Sequence, residues 1–191
     1  MKPRHVATSE IGAARDALVA NRTEGLKLLN DLFREGHTPQ PAPDGRLRGE
    51  LVDLDLAPGV TELLTKVTSR WLPWKGKTFD RANARGDNVF TRDSLRIARV
   101  FNPFYNGFVG DGPETYRAFM FRTYVAPGRE DPDRLVMKID YDLAENPPST
   151  VRRVLDELVQ IGEGTYLGKA HVKWWWGRWQ RVAFFALFDP T

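Results

Sequence analysis

Residues 164–188, GTYLGKAHVKWWWGRWQRVAFFALF, decide how the chain folds. Two apolar and aromatic runs, Gly164 to Trp174 and Arg178 to Phe188, flank a Trp176–Gly177 pair that suits a tight turn. This is the pattern of an antiparallel hairpin, because glycine reaches the positive φ that short turns need. Four of the six tryptophans lie here: Trp174, Trp175, Trp176 and Trp179. Period-two alternation sets Trp174 and Trp176 on one face and Trp175 on the other, with Trp179 opposite them across the turn. Trp174 and Trp179 are therefore expected on a wall or pocket rim, and Trp175 and Trp176 at the tip. Rings at a tip beside Lys173, Arg178 and Arg181 also suit transient contact with a membrane surface.

Working upstream, Val151, Val154, Leu155, Leu158 and Val159 recur at helical spacing after NPPST, which predicts a helix capped by Ser149 or Thr150 and ended by Gly162. Tyr116 to Val125 and Arg134 to Asp142 alternate as strands joined by APGREDPD. Residues 92–101 read as a short helix, and NPFYNGFVGDGPE as a loop unusually rich in rings. WKGKTFD reads as a strand, with RGDN as the turn into a short one at Val89–Phe90. Val60, Leu63, Leu64, Val67 and Trp71 form one helical stripe. Arg46 to Leu54 alternates as a first strand. A long helix is predicted from Thr8 or Ser9 to about Glu35, with room for a break at Asn21–Arg22 or Gly25, and HTPQPAPDG follows as a connector.

Sequential strands with short connections favour antiparallel pairing. The expected fold class is α+β: an antiparallel barrel or strongly curved sheet, with the N-terminal helix and two or three short helices covering an end. Residues 1–44 are expected to form the helix and proline-rich connector, and residues 45–191 a single β-rich domain.

Composition narrows the chemistry. The 191 residues are 41 % apolar and 12 % aromatic, so the core or a pocket should be ring-lined. There is no cysteine, which removes thiolate catalysis and Cys-ligated metal sites and suits a reducing cytoplasm. The formal net charge is +3 without like-charged runs, a solvated mixed surface and not a nucleic-acid footprint. No window reaches the roughly 18 apolar residues of a membrane span, and the N-terminus lacks a signal-like apolar core. A soluble, unprocessed, cytoplasmic protein is expected.

Three pieces in order resemble a known family: GRLRGEL (Gly45 to Leu51), WKGKTF (Trp74 to Phe79), and MKIDYDLAENPPSTVRRVLDELVQIGEGTYLGKAHV running into the last strands. The chain is similar here to the GXWXG-domain proteins. Trp74, Gly76, Lys77 and Phe79 match the second element, and Tyr141, Asp142, Leu167 and Gly168 the third. Leu47 stands where the family has its first tryptophan. The resemblance implies a calycin-like (lipocalin-like) barrel for a small apolar ligand, with a Pro-started helix and a Leu-Gly turn in its last third.

The expected function is binding of a hydrophobic small molecule (a fatty acid, isoprenoid or aromatic, with or without a carboxylate) in an aromatic-lined cavity. Wall candidates are Trp71, Trp74, Phe79, Phe119, Met120, Tyr124, Tyr141, Tyr166, Trp174 and Trp179, with Arg122 or Arg181 anchoring a polar head. If Arg122 and Tyr124 face inward beside Met120 they form a carboxylate grip; if Phe119 and Phe121 take that face, Arg122 points to water. The alternative is a cofactor-free isomerase, cyclase or hydratase, with Tyr141 or an inward aspartate as acid–base and an arginine such as Arg122 stabilising charge. It requires at least two polar side chains converging in the cavity. His171 shares a face with Lys169 and Lys173, which predicts exposure; ligating a haem is its functional alternative. No metal cluster and no GxGxxG, GxSxG or HExxH motif can be assembled. Neither a metal nor another cofactor is expected.

Overall fold

The computed structural model describes residues 1–54, 74–148 and 151–190. The helical stripe ending at Trp71 and the caps Ser149 and Thr150 lie outside the described residues. Among the described residues nine strands run in chain order: β1 (Gly45–Leu54), β2 (Trp74–Asp80), β3 (Arg85–Thr91), β4 (Val109–Asp111), β5 (Thr115–Pro127), β6 (Leu135–Asp140), β7 (Val154–Gly162), β8 (Thr165–Lys173) and β9 (Trp179–Phe188). All pairings are antiparallel, in the order β3-β2-β1-β9-β8-β7-β6-β5, and β3 pairs with β5 to close an eight-stranded barrel. The short β4 pairs with the start of β5, on the edge that β6 occupies further along. An eight-stranded barrel is just wide enough to be filled by side chains or to hold one small ligand.

The helices among the described residues are α1 (Arg4–Ala20), α2 (Arg22–Glu35) and α3 (Leu95–Phe101). The long N-terminal helix is broken at Asn21, whose side chain accepts from the backbone N–H groups of Thr23 at 3.1 Å and Glu24 at 3.4 Å. Asparagine serves a helix start well because its side-chain oxygen satisfies donors that have no intrahelical partner. These two helices do not cover a barrel end. Ala7, Ile11, Ala14, Leu29, Leu32 and Phe33 pack on the outer wall, against Val159, Leu167, Phe184 and Ala186. Part of the end is instead filled from α3 and the loop after it. Tyr105 stacks on Phe119 at 5.1 Å between ring centres, and Phe108 packs edge-on to both Tyr105 and Tyr116. That accounts for the rings in the loop.

The largest correction concerns residues 154–162. They form β7 and not a helix; Val151–Arg153 is one 3-10 turn ahead of it. Leu158 faces the barrel interior while Val159 and Ile161 face the helices, so both faces of the strand are buried. A strand covered on both sides loses its apolar–polar alternation, and its spacing can then imitate a helical stripe. Its two acids sharpen the imitation, yet neither is solvated. Asp156 pairs inward with Lys77, and Glu157 pairs outward with the buried Lys138. In the same way RGDN is the first part of β3, not a turn. Leu167–Gly168 is mid-strand in β8 and not a turn: Gly168 leaves room for the Phe185 ring, which a Cβ there would strike.

His171 is a second correction, being 2 % exposed. It lies on the outer wall, opposite Leu155 on β7, with neither ring nitrogen hydrogen-bonded. The β5–β6 loop crosses that wall nearby: the Arg129 amide donates to Glu157 at 2.7 Å, and Asp131 meets Lys169 at 2.7 Å. Burial lowers the His171 pKa below its ordinary 6.5, against the fields of Glu157, Glu130 and Asp156 and with that of Lys169. The unfolded chain therefore binds the proton more readily, and stability present above pH 6.5 is lost as pH falls toward the lowered value. Urea midpoints at pH 7.5 and 5.5 are expected to separate more for the wild type than for His171→Leu. Equal separations would show that His171 charges freely in the folded state.

Candidate functional site

Two backbone irregularities decide what faces the barrel interior. In β2, Trp74 pairs with Phe90 and Gly76 with Val89, so Lys75 is an extra residue, a β-bulge. Gly76 sits at φ +134°, and a Cβ there would strike the backbone of β1. Strict alternation would put Trp74 and Lys77 on opposite faces; the bulge turns both inward. In β5, Phe119 and Met120 together oppose the single Asp87 of β3, and Phe119 takes φ +60°. The Phe119 amide, taken out of the ladder, donates to Tyr105 Oη at 2.6 Å. Tyr116, Ala118, Phe119 and Phe121 all belong to the interior core as a result.

A cavity of about 490 Å³, open to solvent, reaches into the barrel interior. Its apolar lining comes from Leu51 and Leu54, Trp74, Phe90, Phe119, Val151, Val154, Ala170, Ala183 and Phe185. Among the described residues its polar lining is Lys77, Asn88, Tyr141 and Asp156. Lys77, only 2 % exposed, donates to Asp156 Oδ2 at 2.9 Å, to Asn88 Oδ1 at 2.8 Å and to the Tyr141 hydroxyl. Tyr141 donates to Asp156 Oδ2 at 3.0 Å, and Asn88 Nδ2 donates to Tyr141 Oη at 3.0 Å. The Trp74 indole N–H also reaches Asn88 Oδ1, at 3.1 Å. The Lys77 ammonium lies 5.1–5.4 Å from the ring centres of Trp74, Phe121, Tyr141 and Phe185, a cation set among aromatic faces.

Burial pushes the Lys77 pKa down while the Asp156 charge holds it up. Burial, reinforced by Asp156, drives the Tyr141 phenol well above its usual value, so it stays a neutral donor. The cluster thus offers an aspartate acceptor, a protonated phenol and a buried cation within one hydrogen-bonded group.

A solved structure of a protein from Thermomonospora curvata is similar to this chain: 13 % identical, covering 96 % of this chain and 99 % of that one, with a TM-score of 0.52. At that identity the likeness shows the fold alone. No family model and no curated protein matches the chain.

Of the sequence-predicted site residues, Trp74, Phe119 and Tyr141 line the cavity. Phe79 and Tyr166 lie within the interior core but away from it: Phe79 packs on Phe121, and Tyr166 reaches Asp189 at 3.5 Å, with burial pushing its phenol up to about 12. Met120 is half-buried and does not line the cavity. The Arg122–Tyr124 grip is overturned. Both side chains face outward, Arg122 to Asp140 at 2.7 Å, and Tyr124 is exposed. Asp142 is outside too, paired with Arg152. Arg181, the other expected anchor, lies over the Phe184 ring on the outer wall, since a bulge at the Ala170/His171 step of the β8–β9 ladder shifts its register. His171 is also on that wall, so a haem bound through it would not occupy the barrel.

The tryptophan hairpin closes through a Trp174 N–H···O Arg178 bond of 2.8 Å, with Gly177 at φ +86°. Trp174 stacks on Trp176 at 5.2 Å, and Trp179 lies under Arg129 at 4.2 Å. Neither Trp174 nor Trp179 lines the cavity, whereas Trp175 and Trp176 stand 77 % and 54 % exposed at the tip. Trp71 lies outside the described residues. Lys77, Asn88 and Asp156 were missed. For Lys77 a signal existed, a lysine between the buried Gly76 and Phe79, but the bulge hides its face. Among the described residues no helix is long and apolar enough to cross a membrane, and no three His, Asp or Glu side chains are placed to hold a metal.

Proposed function

We propose that the protein binds a hydrophobic small molecule inside the barrel, with the ligand's polar end toward Lys77, Tyr141, Asn88 and Asp156. The observation that carries this reading is the 490 Å³ cavity, walled by rings and aliphatic side chains with one convergent polar group. That combination is the ordinary composition of a small-molecule pocket, and the volume is within the usual range. The resemblance to GXWXG-domain proteins belongs to the same reading, because Trp74, Lys77 and Tyr141, three of its motif residues, line this cavity. The exposed Trp175 and Trp176 support transient contact with a membrane surface from which such a ligand is drawn, and the lack of cysteine suits a cytoplasmic setting.

One observation favours a second reading, a cofactor-free isomerase, cyclase or hydratase. Asp156 is the inward aspartate that such an enzyme needs as base. Tyr141 is a neutral acid, and Lys77 takes the charge-stabilising place expected of an arginine. Native mass spectrometry of the purified protein, followed by solvent extraction, tests the binding reading. A co-purifying apolar molecule, or saturable binding of the neutral dye Nile red, is expected. A protein that carries no ligand and leaves Nile red dark would contradict it.

A further inference from the structure

We infer that the ligand of this cavity presents a neutral hydroxyl group to Asp156, and not a carboxylate. The inference rests on the binding reading above and names the chemistry of the ligand's polar end. Its basis is which atoms of the cluster are already used. The Lys77 ammonium has three protons and three acceptors, on Asp156, Asn88 and Tyr141. Asn88 Oδ1 receives Lys77 and Trp74, and Asn88 Nδ2 serves Tyr141 and, at 3.3 Å, the Phe119 carbonyl. Tyr141 Oη accepts from Lys77 and from Asn88 Nδ2, and it donates to Asp156 Oδ2 at 3.0 Å, with Asn88 Oδ1 a longer alternative at 3.2 Å.

Both side-chain donors at Asp156, Lys77 and Tyr141, fall on Oδ2. Asp156 also lines the cavity, with 6 % of its side chain still accessible. Oδ1 is thus the acceptor left for a ligand. A carboxylate oxygen can take two hydrogen bonds or more. Desolvating it beneath a pure hydrocarbon forfeits them. A carboxylate head group would meet Oδ1 as a like charge, and the cation that could offset it is already neutralised by the same aspartate. An alcohol or phenol donates to Oδ1 and brings no net charge into the barrel.

The test is calorimetric titration with three compounds of one skeleton: 2-naphthalenemethanol, 2-methylnaphthalene and 2-naphthoate at neutral pH. The alcohol is expected to bind about tenfold or more tighter than the hydrocarbon, as a hydrogen bond to a charged acceptor gives. The carboxylate should bind more weakly than either. In Lys77→Met/Asp156→Leu, which removes the pair together, the alcohol and the hydrocarbon should bind within about twofold of each other. A carboxylate that binds as tightly as the alcohol, or an alcohol no tighter than the hydrocarbon, would overturn the inference while leaving cavity binding intact. Binding by none of the three, together with a dark Nile red titration, would overturn the cavity reading itself and this inference with it.

Discussion

Lys77→Met is expected to cost about 3–5 kcal/mol of folding stability, because it strands a carboxylate in the barrel interior. Methionine nearly matches lysine in length and suits the surrounding rings, so lost packing is a minor part of the effect. The main part is electrostatic. Asp156, 4 % exposed, would keep only the Tyr141 hydroxyl as a side-chain donor. Ion pairs such as Lys27–Asp31, at 2.7 Å but on the surface, add little because water substitutes for either partner. At Lys77, only 2 % exposed, little water can take the place of the ammonium on Asp156 Oδ2. The double variant Lys77→Met/Asp156→Leu should recover most of the loss, since replacing a buried pair by apolar groups is often neutral or better. Urea unfolding of wild type, single and double variants measures both steps. A single variant that loses less than about 1 kcal/mol would mean that water reaches Asp156 Oδ2 and solvates the pair.

Ala170→Leu should abolish ligand binding without destabilising the fold. Ala170 and Ala183 are cross-strand partners on β8 and β9, and both line the cavity with short side chains. The added carbons would occupy space that a ligand needs, so Nile red affinity should fall by about a hundredfold or more, some 2.7 kcal/mol. Filling a void of this kind commonly adds about 0.5–2 kcal/mol of stability. A barrel whose interior is already filled predicts the opposite sign, because overpacking costs about 1–3 kcal/mol. The Nile red titration and the urea midpoint of this one variant therefore discriminate between an open and a filled barrel.

How much of this was legible in the sequence depended on whether a strand was covered on one face or two. β1, β5 and the β8–β9 hairpin were readable because alternation or a turn signal survives in them. β7 was not, because helices and a loop cover its outer face, a tertiary event that local spacing does not record. His171 and Lys169 were misplaced for the same reason. An alternating run identifies the two faces of a strand, but not whether the outer one meets water. The candidate site failed differently. Trp74, Phe119 and Tyr141 were found from ring content and alternation. Lys77 was hidden by the Lys75 bulge, and Asn88 by a strand read as a turn. Asp156 lies in a segment whose spacing reads as a helix that does not form. The arginines that a ligand-binding barrel suggested are both outside, and the interior cation is a lysine held by an aspartate.

The most direct measurement is a methyl-resolved NMR titration with 2-naphthalenemethanol. Binding in the barrel predicts that the methyl signals of Ala170, Ala183, Val151 and Val154, all on the cavity, shift together and saturate. Those of Ala7 and Ala14, buried between the helices and the outer wall, should stay in place. Shifts confined to the outer wall or the tryptophan hairpin, with the cavity methyls unmoved, would contradict an internal binding site.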